Sequence, residues 1–221
     1  ERTGSHAAVR VHSTAIVHPK AKLGAGVLVG PYSLIDEHVT IGAGTTIGAH
    51  CVIEGHTTIG AECKVFTGAV IGSIPQDRKY LGEDSVLFLG DRNTIREYVT
   101  INPGTAGGGG KTAIGSDGLF MAYSHVAHDC VIGDRVTLAN SVALAGHITV
   151  EDQATVGGLV GIHQFVRVGR LSFIGGCARV VQDIPPYATC VGYPAKVFGL
   201  NSEGLKRAGV SSEVKQRLHH A

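Results

Sequence analysis

An aliphatic side chain recurs at every sixth position of this chain. From Val11 the beat runs through Val17, Leu23, Val29, Ile35, Ile41, Ile47, Ile53, Ile59 and Val65 to Ile71, and it returns at Leu89, Ile95 and Ile101. After a slip of one residue it resumes at Ile114, Phe120, Val126, Ile132, Leu138 and Leu144 and continues in step to Val180. Glycine often follows the beat, as at Gly24, Gly30, Gly42, Gly48, Gly60 and Gly72. A period of six is neither the 3.6 of a helix nor the unbroken 2 of a long strand. It predicts a solenoid of short strands and turns, with one aliphatic per hexapeptide pointing inward. Three hexapeptides close one triangular coil of about 18 residues. Stacked coils pair at about 4.8 Å and cover each other's core. The predicted fold class is all-β with a short α tail. A parallel β-helix spans 7–185, and 186–221 forms an exit segment and a short helical tail.

Two stretches break the beat. Residues 72–88 cannot continue it, because Asp77 and Glu83 would fall on inward positions, and residues 102–113 carry a glycine run and the phase slip. Both read as loops thrown out from a rigid scaffold, where binding functions concentrate. After Val180 the prolines of QDIPPY mark an exit, and two helical stretches divided by Gly209 follow, the second capped by Ser211 or Ser212.

Composition narrows the function classes. Lys and Arg total 19 against 18 for Asp and Glu, so no charge excess points to nucleic acid or an anionic membrane surface. The five cysteines, Cys51, Cys63, Cys130, Cys177 and Cys190, form no CxxC pair. They read as free thiols of a reducing, cytoplasmic compartment rather than a disulfide framework or a zinc knuckle. No apolar run reaches the 18 or more residues of a membrane span.

The candidate chemistry lies in SHVAHD, Ser124 to Asp129. His147 follows His128 by 19 residues and His163 follows His147 by 16, each close to one coil. His128, His147 and His163 therefore fall near one corner of three successive coils, and His125 shares the segment of His128. Such a strip could ligate zinc or supply acid–base groups. Asp129 after His128 could orient an imidazole, and Gly146 in LAGH offers a backbone N–H to a developing oxyanion. That pairing favours acyl transfer, with no metal, while second-shell carboxylates also suit zinc. The isolated His12, His18, His38, His50 and His56 read as structural.

The hexapeptide beat resembles that of the hexapeptide-repeat acyltransferases, whose β-helix is left-handed. The motifs PQDRKY, IGDRNTIREYVTI, HVAHDCVIGD, LAGH, GIHQF, QDIPPY and GLNSEGLKR, in that order over roughly 11–209, resemble more narrowly the UDP-N-acetylglucosamine 3-O-acyltransferases of lipid A biosynthesis. The resemblance implies transfer of an (R)-3-hydroxyacyl group from acyl-carrier protein to a sugar 3-hydroxyl. His128 would be the general base, Asp129 its orienting partner and Gly146 the oxyanion donor. His125, His147 and His163 would line the same cleft, with Gln164 on the nucleotide side. Gln76, Asp77 and Lys79 would reach substrate shared with a neighbouring subunit, and Asn201, Glu203 and Arg207 would meet the nucleotide-sugar. Phe173 and Gly176 would shape the acyl-chain groove. A homotrimer is implied, with no cofactor beyond the phosphopantetheine of the carrier, no nucleic acid and no membrane insertion.

Departures from the family pattern leave rivals open. NPGT at Asn102 to Thr105 replaces the family's HRGT, Ala208 replaces a second basic residue, and the helical tail after Arg207 is shorter than the family's. VGYPAKV at Val191 to Val197 looks more like coenzyme A-dependent hexapeptide enzymes. The rivals are an acyl-CoA-dependent transferase acting on another sugar, a γ-type carbonic anhydrase with three histidines on zinc, and a non-catalytic scaffold.

Overall fold

The computed structural model describes residues 8–219. The beat appears as two-residue strands that end on the beat residue, from Arg10–Val11 and Ile16–Val17 to Arg179–Val180. Every third strand lands on the same wall, so residues one coil apart pair in parallel: Leu28 with Thr46, Thr46 with Lys64, Ala143 with Gly161. The described residues form three walls of 11, 9 and 8 strands, which we call walls 1, 2 and 3 in the order the chain enters them. This is a left-handed parallel β-helix with a short helical end.

The beat side chains fill the prism. Ile35, Ile53, Ile71, Ile101, Val126 and Leu144 stack down wall 2 with essentially no exposure. Burying each such side chain is worth about 1.5–3 kcal/mol relative to exposure, so every coil stabilises the next. Corner polar groups are satisfied across coils: Ser33 Oγ donates to Gly48 O at 2.7 Å and accepts from Cys51 N at 3.0 Å. The repeated turn puts one residue of most corners in the left-handed region, including Asp129, His147 and Phe165 at φ 60, 63 and 67°.

Both excursions are present, but each returns to strand two residues earlier than a two-residue strand ending on the beat implies. Val86–Leu89 and Lys111–Ile114 are four-residue strands that pair with each other, and Val86–Leu89 also pairs with His56–Ile59. His56–Ile59 on the coil before is already four residues long, and the two later strands extend its register. Their alternation of 2 therefore runs back one more pair, burying Leu87 and Thr112. The loops proper are 72–85 and 102–110.

Past Val180 the chain adds an element that its prolines did not announce. Ala188–Val191 joins the end of wall 1 and pairs in antiparallel fashion with Lys196–Leu200. Then come α1 (Ser202–Arg207) and α2 (Ser212–His219), separated by Gly209 at φ 77°. Ser211 Oγ accepts from Val214 N at 3.3 Å and caps the second helix. Among the described residues no helix is long and apolar enough to cross a membrane.

Candidate active site

The corner between walls 2 and 3 carries three stacked turns: Ala127-His128-Asp129, Ala145-Gly146-His147 and His163-Gln164-Phe165. The spacings of 19 and 16 thus put three histidines on one corner, but in three different columns, because neither equals the coil of 18. His128 lies over Gly146, Asp129 over His147, and His147 over Phe165. The rings of His147 and Phe165 stack at 4.5 Å and 8°. Those of His128 and His147 meet edge-on at 5.0 Å and 88°.

His128 is 5% exposed, and its Nδ1 lies 2.7 Å from Asp129 Oδ2. A carboxylate only accepts, so Nδ1 carries the proton and Nε2 is left with its lone pair toward the groove. Asp129 is itself fixed from the second loop. Thr105 N–H donates to Oδ1 at 2.9 Å and Thr105 Oγ1 donates to Oδ2 at 2.6 Å. Burial alone would raise the Asp129 carboxyl, but the bonds from Thr105 and His128 outweigh it and hold the group below the usual carboxylate range. Thr105 had no signal in the one-dimensional pattern: it sits in a loop that breaks the beat, 24 residues from its partner.

Gly146 is the other half of the arrangement. An ideal Cβ there would lie 2.5 Å from His128 Cε1 and 2.7 Å from Nε2, so only glycine lets the imidazole rest on this backbone. The Gly146 N–H has no hydrogen-bond partner among the described residues and borders the groove. It stands beside the base as a donor for developing negative charge.

The groove has a volume of about 540 Å³. Its floor is the outward column of wall 2, where His125, Ala143, Gly161 and Arg179 stack in register. His128, His163, Gln164 and Gln76 form its sides. His125 Nδ1 contacts Thr100 Oγ1 at 2.7 Å, and burial, with the neighbouring His128 adding to it, lowers its pKa and favours the neutral ring.

A second cavity of about 460 Å³ opens on the other side of the same corner, between Asp77, Lys79, Thr105, His147 and Phe165. His147 and Lys79 belong there, not to the His128 groove as the resemblance implied for His147. Asp77 bridges the two cavities, with Oδ2 4.0 Å from His128 Nε2 in the same chain. The two loops are stapled together: Glu83 accepts from Ala106 N at 3.1 Å and Leu81 N at 2.8 Å, and Asn102 Nδ2 donates to Ser73 O at 2.9 Å. Asn102 of NPGT therefore ties loop to loop.

Within one chain, five residues stand away from both cavities. Asn201 caps α1, accepting from Gly204 N at 3.0 Å and donating to Leu171 O at 2.8 Å. Glu203 and Arg207 are exposed on that helix. Phe173 lies on wall 1, and Gly176 on the next corner, against Gly158. Zinc fits poorly. The group of side chains able to converge on an ion among the described residues is His128, Asp129 and His147, not three histidines. Both Asp129 oxygens are already engaged by Thr105 and His128.

Fold and site together define the class: a hexapeptide-repeat β-helix with a histidine–aspartate acid–base pair over a backbone N–H donor. A family profile described as Udp N-acetylglucosamine O-acyltransferase, Domain 2, matches residues 183–221. An acyl-[acyl-carrier-protein]--UDP-N-acetylglucosamine O-acyltransferase of Herminiimonas arsenicoxydans is 57% identical over 92% of this chain and 78% of its own length. One from Anaeromyxobacter dehalogenans is 53% identical over 96% and 82%. LpxA from Acinetobacter baumannii superposes with a TM-score of 0.93 at 43% identity, over 95% of this chain and 81% of that one. The Francisella novicida UDP-N-acetylglucosamine acyltransferase gives 0.93 at 39%, over 95% and 77%. The chain belongs to the acyl-[acyl-carrier-protein]--UDP-N-acetylglucosamine O-acyltransferase family.

Proposed function

We propose that this chain moves an (R)-3-hydroxyacyl group from acyl-carrier protein to the 3-hydroxyl of UDP-N-acetylglucosamine, the first step of lipid A biosynthesis. The observation that carries this reading is the geometry of His128: Nδ1 held by Asp129 at 2.7 Å, Nε2 free toward the groove, Gly146 N–H beneath. Nε2 takes the proton of the sugar hydroxyl as its oxygen attacks the thioester carbonyl. The oxyanion is held by Gly146 N–H. Collapse breaks the C–S bond, and the imidazolium returns its proton to the departing thiolate, leaving an ester and the free carrier thiol. Asp129 and Asp77 offset the charge of the imidazolium during the step.

His125, His163, Gln164 and Gln76 border the groove and contact the substrates. Lys79 and His147 reach them from the adjoining cavity. Asn201, Glu203 and Arg207, remote from His128 in one chain, act in a homotrimer across a subunit boundary, and Phe173 and Gly176 shape the acyl path there. The donor's phosphopantetheine is the only prosthetic group required, and the reaction takes place in the cytoplasm. Incubating the protein with UDP-N-acetylglucosamine and a panel of 3-hydroxyacyl carrier proteins, read by mass spectrometry, should yield an acylated nucleotide-sugar. No product from any donor would refute the proposal.

A further inference from the structure

The groove beside His128 has a single permanent cation in its lining, Arg179. Arg92, Arg96 and Arg167 each pair with a carboxylate, whereas Arg179 has no carboxylate partner among the described residues. Its guanidinium lies 5.5 Å from the Tyr193 ring. Its backbone is held at both ends by the terminal hairpin, Arg179 N donating to Gly192 O at 3.2 Å and Ala195 N donating to Arg179 O at 2.8 Å. An exposed guanidinium at the end of a groove, anchored through its backbone and flanked by the Tyr193 ring, suits a phosphate.

Its distance from the base decides which phosphate. His125, Ala143, Gly161 and Arg179 are successive rungs, so Arg179 lies three rungs from the catalytic coil, about 14 Å at sheet spacing. In a nucleotide-sugar poised for attack through its 3-hydroxyl, roughly five bonds separate that oxygen from the first phosphorus and seven from the second. At an extension like that of a polypeptide this is about 6 and 8 Å, too short to reach. In a phosphopantetheine arm roughly thirteen bonds separate sulfur from phosphorus, about 15 Å on the same basis. The floor between the two ends is bare. Ala143 is the only side chain there, and a Cβ on Gly161 would meet nothing within 4 Å.

We propose that Arg179 seats the phosphate of the acyl donor's phosphopantetheine arm, which lies along Ala143 and Gly161 with its thioester at His128. This rests on the acyl-transfer reading and adds to it the position and direction of the donor.

The test compares equilibrium binding of 4′-phosphopantetheine and pantetheine, by calorimetry, to the wild type and to Arg179→Gln, and measures the KM for UDP-N-acetylglucosamine of both. The wild type should bind the phosphorylated arm about tenfold more tightly, as a charge-assisted contact provides. Arg179→Gln should bind both arms alike, with an unchanged KM for the nucleotide-sugar. As a second variant, Gly161→Leu should weaken both arms together by filling the floor. A phosphate preference that is absent in the wild type, or survives in Arg179→Gln, overturns the proposal. So does a raised KM for the nucleotide-sugar with the preference intact, which would give Arg179 to the diphosphate instead. Because arm binding needs no turnover, a phosphate preference lost in Arg179→Gln without acylation of any sugar would uphold the arm site and sink only the acceptor assignment.

Discussion

A methyl group added at Gly146 would fall on the catalytic ring. The ideal Cβ of Gly146→Ala lies 2.5 Å from His128 Cε1 and 2.7 Å from Nε2, while carbon atoms in contact settle at about 3.5–4.0 Å. The imidazole must therefore retreat by about 1 Å. It cannot do so freely, because Nδ1 is tied to Asp129 at 2.7 Å and Asp129 is tied twice to Thr105. The backbone at Gly146 lies outside the left-handed region, so alanine adds no strain of its own there. A reacting group misplaced by about 1 Å costs about a hundredfold in rate, and forcing a methyl group into a filled site costs about 1–3 kcal/mol of stability. The variant keeps the N–H, so the loss reports the position of the base rather than removal of the oxyanion donor. Steady-state kinetics should show kcat down about a hundredfold with the KM for UDP-N-acetylglucosamine little changed, and the protein should still melt cooperatively. A folded Gly146→Ala with the kcat of the wild type would refute this reasoning.

Three further predictions follow from the support of Asp129 and from the thiols. Thr105→Ala should cost about 1–3 kcal/mol by leaving a buried carboxylate short of a donor and should lower kcat, while Thr105→Ser restores most of both; equal effects of the two substitutions would show that the hydroxyl is not what matters. The folded Asp129 carboxyl is held below its ordinary value of about 3.9, so the stability it contributes is complete above that value and is lost as pH falls through the folded value. Acid unfolding followed by circular dichroism should begin at higher pH in Thr105→Ala than in the wild type. Burial pushes the Cys130 thiol up to about 12, and Cys51, Cys63 and Cys190 are buried with raised values, whereas Cys177 is exposed. Brief iodoacetamide treatment of the native protein should therefore label Cys177 alone, as peptide mass spectrometry would show.

The six-residue beat made most of the fold legible, since each inward residue reports its own wall and coil without regard to distant partners. The return to strand at Val86 and Lys111 was less legible, because both strands continue the four-residue register of His56–Ile59, which the six-residue beat marks only at its last residue. The terminal hairpin gave no signal, its pairing being set by how the exit segment folds back on wall 1. In the site, His128, Asp129 and Gly146 were legible because they sit on one corner one coil apart. The spacing arithmetic put His147 on the right corner, while the shared cleft came from the resemblance; one residue of offset from the His128 column sets its side chain against the adjoining cavity. Thr105 and Arg179 were missed for a related reason. The bonds from Thr105 cross from an irregular loop, and an exposed arginine in a regular strand looks like any solvated charge until its rung is counted from His128.

The most direct test of the central claim is single-turnover acylation of UDP-N-acetylglucosamine by a 3-hydroxyacyl carrier protein, comparing the wild type with His128→Ala and measuring the Kd for the nucleotide-sugar in both. With His128 as general base, the variant should lose about 10²–10⁴-fold in rate while its Kd stays the same. A His128→Ala protein that acylates the sugar at the rate of the wild type would contradict the account.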